Sequence, residues 1–240
     1  MNLADQLAGF AFCTIRPGVA MSLIPFGIDG ALGLTLRVPL VLMFALLSAH
    51  DGCPSDVIAA GLAEAVIGLV MGLGLSVVFH VASAAGAVID QQAGYSVAAV
   101  YDPNFQQESA LFETLFTQFA ALTFFTGHGL IRLCSAFIDG WALWAPGSLH
   151  PDLGRLTEML ARTRLAPVLT QGLQLAAPLL VLMLLVDVSV GLAARHAKRL
   201  NPFATARTVK VMTLSVAAML CMPDILKRLA RIAAASLNLG

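Results

Sequence analysis

Charge is what this chain lacks most. Of its 240 residues only 12% are Asp, Glu, Lys or Arg, while 58% are apolar, and the mean hydropathy is +0.84. A water-soluble domain carries about a quarter charged residues to cover its surface, so this composition excludes an ordinary soluble domain. Net charge is zero, which excludes a polyelectrolyte that would bind nucleic acid or an acidic partner through its overall charge.

Other absences narrow the function. Four cysteines, Cys13, Cys53, Cys134 and Cys221, lie far apart with no CxxC pair. They read as small apolar residues rather than disulfides or metal ligands. His80, His128 and His196 show no metal-ligand spacing among themselves or with the cysteines, so no metal and no cofactor are expected. Gly127-His128-Gly129 has no G-x-S-x-G partner, and Tyr101-Asp102 has no second Gly-x-Gly-Asp element, so neither an intramembrane serine protease nor an aspartyl protease is completed. Phosphate-binding loops are absent as well. No catalytic residue is assigned, and the chain is not expected to be an enzyme. The N-terminus has no basic n-region, because Asp5 precedes any basic residue and Arg16 cuts the first apolar stretch; no cleaved signal is expected.

What is present is long apolar sequence. A helix needs about 20 apolar residues to cross some 30 Å of hydrocarbon, and Ala65 to Ile89, Thr114 to Ile131 and Leu165 to Val186 reach or approach that length without an Asp, Glu, Lys or Arg. Shorter apolar stretches lie at Pro17 to Ile28, Val38 to His50 and Val211 to Pro223. No strand pattern competes, so the fold class is all-α, a polytopic membrane protein of about six helices near 8–24, 32–48, 57–92, 110–138, 166–198 and 206–232. The third helix is too long for one simple span. It either projects beyond the bilayer or breaks near Ser83 to Gly86, and its Gly68-xxx-Gly72 spacing lets another helix approach closely.

Charge is unevenly spread. Residues 1–150 carry three basic groups against ten acids, and residues 151–240 carry eleven against four. Five basic residues fall between Arg195 and Lys210, which places that connection in the cytoplasm by the positive-inside rule. Arg16, Glu64 and Asp187 interrupt or end apolar stretches, and each would cost about 2.5–3.5 kcal/mol facing lipid at a helix centre. They are therefore expected to face a bundle interior, a partner subunit or a wet cavity. The polar segment Gly94 to Ser109, with turn chemistry at Asp102-Pro103-Asn104, cannot rest in lipid with its backbone unpaired.

Three stretches together resemble the FliR/SctT family, the flagellar and injectisome versions of one export-apparatus subunit. They are Glu64-Ala-Val-Ile-Gly68-Leu-Val-Met-Gly72; then Gly86-Ala-Val-Ile-Asp90-Gln-Gln92-Ala-Gly94 continuing through Asp102-Pro103 to Gly127-His128-Gly129 and Ser135; and Ala177-Pro178 with Asp187, Gly191-Leu192, Arg195, Leu200-Asn201, Phe203 and Lys210. The sequence departs from the family at Lys198-Arg199, where Pro-Gln is usual, and at Pro202, where an aliphatic residue is commoner. Ile89-Asp90 and the Trp141/Trp144-Ala-Pro146 region look more like the injectisome branch than the flagellar one.

The resemblance implies a subunit of the inner-membrane export gate of a bacterial type III secretion system. Its expected partners are the FliP/SctR-like, FliQ/SctS-like and FlhB/SctU-like subunits, membrane lipid, and unfolded protein substrates in transit, with no nucleic acid. Residues 1–165 would be FliP/SctR-like and 166–240 a FliQ/SctS-like hairpin. The segment 94–109 would plug the channel, with Gly94, Tyr95, Ser96, Tyr101, Asp102, Pro103, Asn104 and Phe105 as plug residues. Arg16, Glu64, Asp90 and Asp187 would be buried charges for assembly. Arg195, Lys198, Arg199, Asn201 and Lys210 would meet the FlhB/SctU-like protein in the cytoplasm. The competing reading, from the same charges and glycine-rich helices, is a small stand-alone transporter or channel.

Overall fold

A computed structural model describes residues 3–25, 31–48, 54, 56–94, 111–127, 129–148, 154, 157–158, 165–196 and 202–236. Among these residues every long element is a helix and none is a strand: α1 Leu3–Cys13, α2 Ile15–Leu23, α3 Ala31–Leu47, α4 Val57–Ala93, α5 Leu111–Thr126, α6 Gly129–Leu143, α7 Leu165–His196 and α8 Pro202–Ser236. The protein is a polytopic membrane protein of helical hairpins. Val57–Ala93, Thr170–His196 and Thr208–Ile232 are each long and apolar enough to cross a bilayer, and the bent pair α5–α6 makes a fourth if counted as one span.

The helix boundaries differ from the expected six in instructive places. The helix expected at 8–24 begins at Leu3 and is interrupted at Thr14. That expected at 110–138 is two helices bent by 74° and runs on to Leu143. Its break falls at a glycine pair. A Cβ on Gly129 would run into the Phe124 carbonyl and ring, and one on Gly127 would lie 2.6 Å from the Thr123 carbonyl. By contrast α4 runs unbroken through Ser83 to Gly86, 37 residues in all, about 55 Å at 1.5 Å per residue. Ser83 and Gly86 serve contacts to α5, described below, and leave the helix intact. The expected basic connection shrinks too, because α7 extends to His196 and α8 starts at Pro202, where proline's missing N–H costs nothing in the first turn.

The chain divides into two compact units. One comprises residues 1–79, 121–165 and 232–240, the other 80–120 and 166–231. In the first, α2 lies against α4 at the glycines. A Cβ on Gly68 would stand 2.5 Å from the Arg16 carbonyl, and one on Gly72 would stand 2.8 Å from the Ala20 backbone. The four-residue step from Arg16 to Ala20 matches that from Gly68 to Gly72, so small residues bring two backbones together where larger ones would hold them apart. Phe44 stacks on Phe137 at 4.5 Å between ring centres, and Trp141 packs beside both.

In the second unit, buried Val81, Ala82, Ala85 and Ile89 of α4 share the core with Phe112 and Phe116 of α5, Leu175, Leu179 and Met183 of α7, and Leu214, Ile225 and Leu229 of α8. Pro178 lies inside α7, and a proline in a helix interior leaves the carbonyl four residues earlier without its N–H. That carbonyl belongs to Gln174, and it accepts from the Arg228 guanidinium at 3.3 Å.

Candidate functional site

Among the described residues two polar clusters stand out, one in each unit. The first joins Arg16 of α2 to Glu64 of α4. Arg16 Nε donates to Glu64 Oε2 at 2.6 Å and Nη2 donates to Oε1 at 2.9 Å, a bidentate pair whose side chains are 1% and 5% exposed. Both side chains make further bonds. Arg16 Nη1 and Nη2 donate to the carbonyls of Gly140 and Trp144 at 3.1 and 3.0 Å, and Glu64 Oε1 accepts from the N–H of Gly147 at 3.0 Å. A helix C-terminus leaves carbonyls without partners and carries the negative end of the dipole, so Arg16 serves as a cap for α6. Gly147, at φ +81°, takes a conformation that side chains resist, which turns its N–H toward Glu64.

The second cluster surrounds the ends of the long connection between α4 and α5. Asp90, buried in the last turns of α4, accepts from the N–H of Phe112 at 3.1 Å through Oδ1 and from that of Glu113 at 3.0 Å through Oδ2. Those are first-turn amides of α5, which have no partner inside their own helix and attract a negative charge. Asp90 is thus an N-cap supplied by a different helix. Gly86, one turn earlier, lets α5 begin directly on α4, since a Cβ there would overlap the backbone of Phe112 and Glu113. Ser83 completes the stripe, its hydroxyl donating to Glu113 Oε1 at 2.7 Å.

The outgoing end of the connection is fixed in a complementary way. Gly94 follows the last residue of α4 at φ +81°, the left-handed position that commonly ends a helix. Lys210 of α8 donates to the Gln92 carbonyl at 3.3 Å and pairs with Asp187 of α7 at 2.8 Å. Chemically the site holds backbone ends in place. It offers oppositely charged caps at two facing helix termini.

The structure gives each of the four charges a partner within the chain: Arg16 with Glu64, Asp90 with backbone amides, and Asp187 with Lys210; Arg16, Glu64 and Asp90 are buried, whereas Asp187, expected to be buried, is 34% exposed at the edge of the hairpin. Of the eight plug residues, Gly94 is described; Tyr95, Ser96, Tyr101, Asp102, Pro103, Asn104 and Phe105 lie outside the described residues. Arg195 is exposed at the end of α7, and Lys210 is largely buried at 13% exposure. Lys198, Arg199 and Asn201 lie outside the described residues. Sequence reasoning missed Ser83, Gln92 and Glu113. Glu113 had a signal, an acid in the first turn of a helix that follows a polar segment, whereas a backbone carbonyl such as that of Gln92 has none.

Comparison with known proteins gives a family match over most of the chain. A family described as "Bacterial export proteins, family 1" matches residues 7–235. The "Yop proteins translocation protein T" of Yersinia pestis is 28% identical over 147 residues, 61% of this chain and 56% of that protein, so the match spans little more than half the relative's length. The "Secretion system apparatus protein SsaT" of Salmonella typhimurium is 28% identical over 211 residues, 83% of this chain and 81% of that protein. A "Flagellar biosynthetic protein FliR", from Pectobacterium carotovorum, is 24% identical over 226 residues, 90% of this chain and 86% of that protein.

Proposed function

Because the chain belongs to the bacterial export proteins, family 1, we propose that it is a subunit of the inner-membrane export gate of a bacterial type III secretion system, in the injectisome branch. It completes a helical channel assembly with FliP/SctR-like and FliQ/SctS-like subunits and passes unfolded protein substrates. The family is one of export proteins, and the chain's part is structural rather than enzymatic. The connection after α4, residues 94–109, plugs the channel. On the cytoplasmic side the exposed end of α7 at Arg195, with the basic segment Lys198, Arg199 and Asn201, meets the FlhB/SctU-like subunit.

One observation carries the plug reading: the connection leaves α4 directly, and α4 itself receives the start of the helix that follows it. Gly94 turns the chain out of the helix, and Asp90 receives the first amides of α5 on its return. A plug has to stay on the pore when the gate is shut, so its roots need a rigid base while its tip remains free to leave. The intervening sequence suits the tip, since Tyr95, Val97, Val100, Tyr101 and Phe105 offer apolar contact and Asp102-Pro103 a preset turn.

The test is to shorten residues 96–106 and measure ion conductance through gates purified with their partner chains. The expected result is normal assembly with a raised leak through the closed complex. Unchanged conductance in assembled gates refutes the plug role.

A further inference from the structure

Lys210 holds two groups of different kinds, and together they connect three helices of one compact unit. Its ammonium pairs with the Asp187 carboxylate on α7 at 2.8 Å and donates to the Gln92 carbonyl on α4 at 3.3 Å. An ammonium has three donors and can serve both partners at once. Gln92 is the penultimate residue of α4, so its carbonyl is among the four that a helix C-terminus leaves without an internal partner, and a cation there meets the negative end of the dipole. Gly94 turns the backbone out of the helix two residues later. Lys210 is therefore a C-terminal cap for α4, provided by α8, at the point where the connection to α5 departs.

The two ends of that connection are not held alike. The returning end depends on Asp90, Gly86 and Ser83, all on α4 itself. At the departing end, the cap comes from the C-terminal hairpin α7–α8, whose two helices are joined to each other through the same ammonium. Any displacement of the hairpin relative to the last turn of α4 must stretch or break the Lys210 to Gln92 contact, because the Asp187 pair draws Lys210 along with α7.

We propose that Lys210 is a coupling residue through which the α7–α8 hairpin controls the root of the connection after α4: while Lys210 caps Gln92 the last turn of α4 is fixed, and withdrawal of Lys210 loosens it. The proposal rests on the reading of residues 94–109 as a plug and names what regulates that plug. Asp187 acts as a positioning residue, confining the flexible lysine side chain to the side of α8 that faces Gln92.

The experiment measures closed-state conductance per assembled complex in planar bilayers, using gates isolated with their partner chains. Lys210→Met keeps the length of the side chain and removes both contacts. It is expected to raise the closed-state leak about tenfold, which corresponds to about 1.4 kcal/mol. Lys210→Arg restores tight closure, and Asp187→Asn gives a smaller rise because the carbonyl contact survives. A purely architectural role for Lys210 would lower the yield of complexes and leave conductance per complex unchanged. If the gate with residues 96–106 shortened leaks and the Lys210→Met gate stays tight, the coupling is overturned while the plug stands. If neither leaks, the plug reading falls and the coupling with it. Should Lys210→Met fail to assemble, Asp187→Asn decides: a leak above wild type supports the coupling and tight closure overturns it.

Discussion

Replacing Glu64 by glutamine tests the buried pair directly. A glutamine retains one oxygen acceptor and substitutes an NH2 donor for the other. At this site one Glu64 oxygen accepts from Arg16 Nε, and the other accepts from Arg16 Nη2 and the Gly147 N–H. Whichever way the amide is turned, its NH2 meets an N–H, and at least one of three bonds is replaced by a donor facing a donor. The larger effect is electrostatic. Arg16 is 1% exposed, an arginine keeps its charge inside proteins, and removing one member of a buried pair costs about 3–5 kcal/mol because the other is left uncompensated. The double variant Arg16→Met, Glu64→Met removes both charges. It gives up partners for the Trp144 carbonyl and the Gly147 N–H, about 1–3 kcal/mol each, and recovers about 1–4 kcal/mol by replacing a desolvated pair with apolar side chains. Thermal unfolding in detergent of wild type, the single variants Arg16→Met and Glu64→Met, and the double then forms a cycle, with Glu64→Gln measured beside it. The double is expected to lose less than the two singles added together, the non-additivity of residues that share a contact or one hydrogen-bond network. If both single variants unfold within about 0.5 kcal/mol of wild type, as surface substitutions do, the pair is not what holds α2, α4 and the end of α6 together.

Two further outcomes follow from the backbone contacts. Gly72→Ala places a methyl 2.8 Å from the Ala20 backbone and is expected to lower stability by about 1–3 kcal/mol through overpacking, whereas Gly191→Ala, with nothing within 4 Å, is expected to cost nothing; equal unfolding temperatures for the two would contradict the close approach of α2 and α4. Asp90→Ala removes the acceptor of two first-turn amides and is expected to cost about 0.5–2 kcal/mol, read most directly as faster hydrogen exchange at Phe112 and Glu113, and unchanged exchange there would mean that α5 does not depend on the cap.

The sequence disclosed the class of the molecule and some of its joints. Pattern and punctuation locate α4 and α7 to within one or two residues, and the apolar runs inside them mark both as membrane helices because composition over a long window is what a bilayer selects. Gly68-xxx-Gly72 announced a close helix contact, though not that α2 would supply it. The interrupted N-terminal helix and the bend between α5 and α6 were less legible. Gly127 and Gly129 look like tolerated glycines in an apolar run, and a glycine inside a helical pattern is ambiguous until its neighbours are known. The charges illustrate a further limit. That Arg16 and Glu64 avoid lipid follows from cost alone, but their pairing across 48 positions depends on which helices meet. Asp90 was legible as a motif member and illegible as a cap, because its partners are backbone amides that every sequence contains. Lys210 was expected to face a cytoplasmic partner, and the structure shows it engaged within the chain, a contact fixed by where α8 begins.

The two kinds of helix in this chain place different demands on their surroundings. In α4 the most apolar window is 67% buried by the protein itself, while the corresponding windows of α7 and α8 are only 22% and 17% buried. Val181, Leu184, Leu185, Val188, Met212, Val216, Met219 and Leu220 are all exposed on the hairpin, and covering what remains open of eight such side chains is worth roughly 8–16 kcal/mol relative to water. Lipid tails satisfy that demand as well as another protein does, so apolar area cannot by itself choose a neighbouring subunit for the hairpin in a membrane. Selectivity has to come from close packing and from polar groups, and among the described residues several of these are engaged internally: the glycines of α4 on α2 and α5, and Arg16, Glu64, Asp90, Asp187 and Lys210 on one another or on helix ends. These five charges thus fix the chain's own geometry first, and of the five Asp187, at 34% exposure for the carboxylate, is the most open to a neighbour.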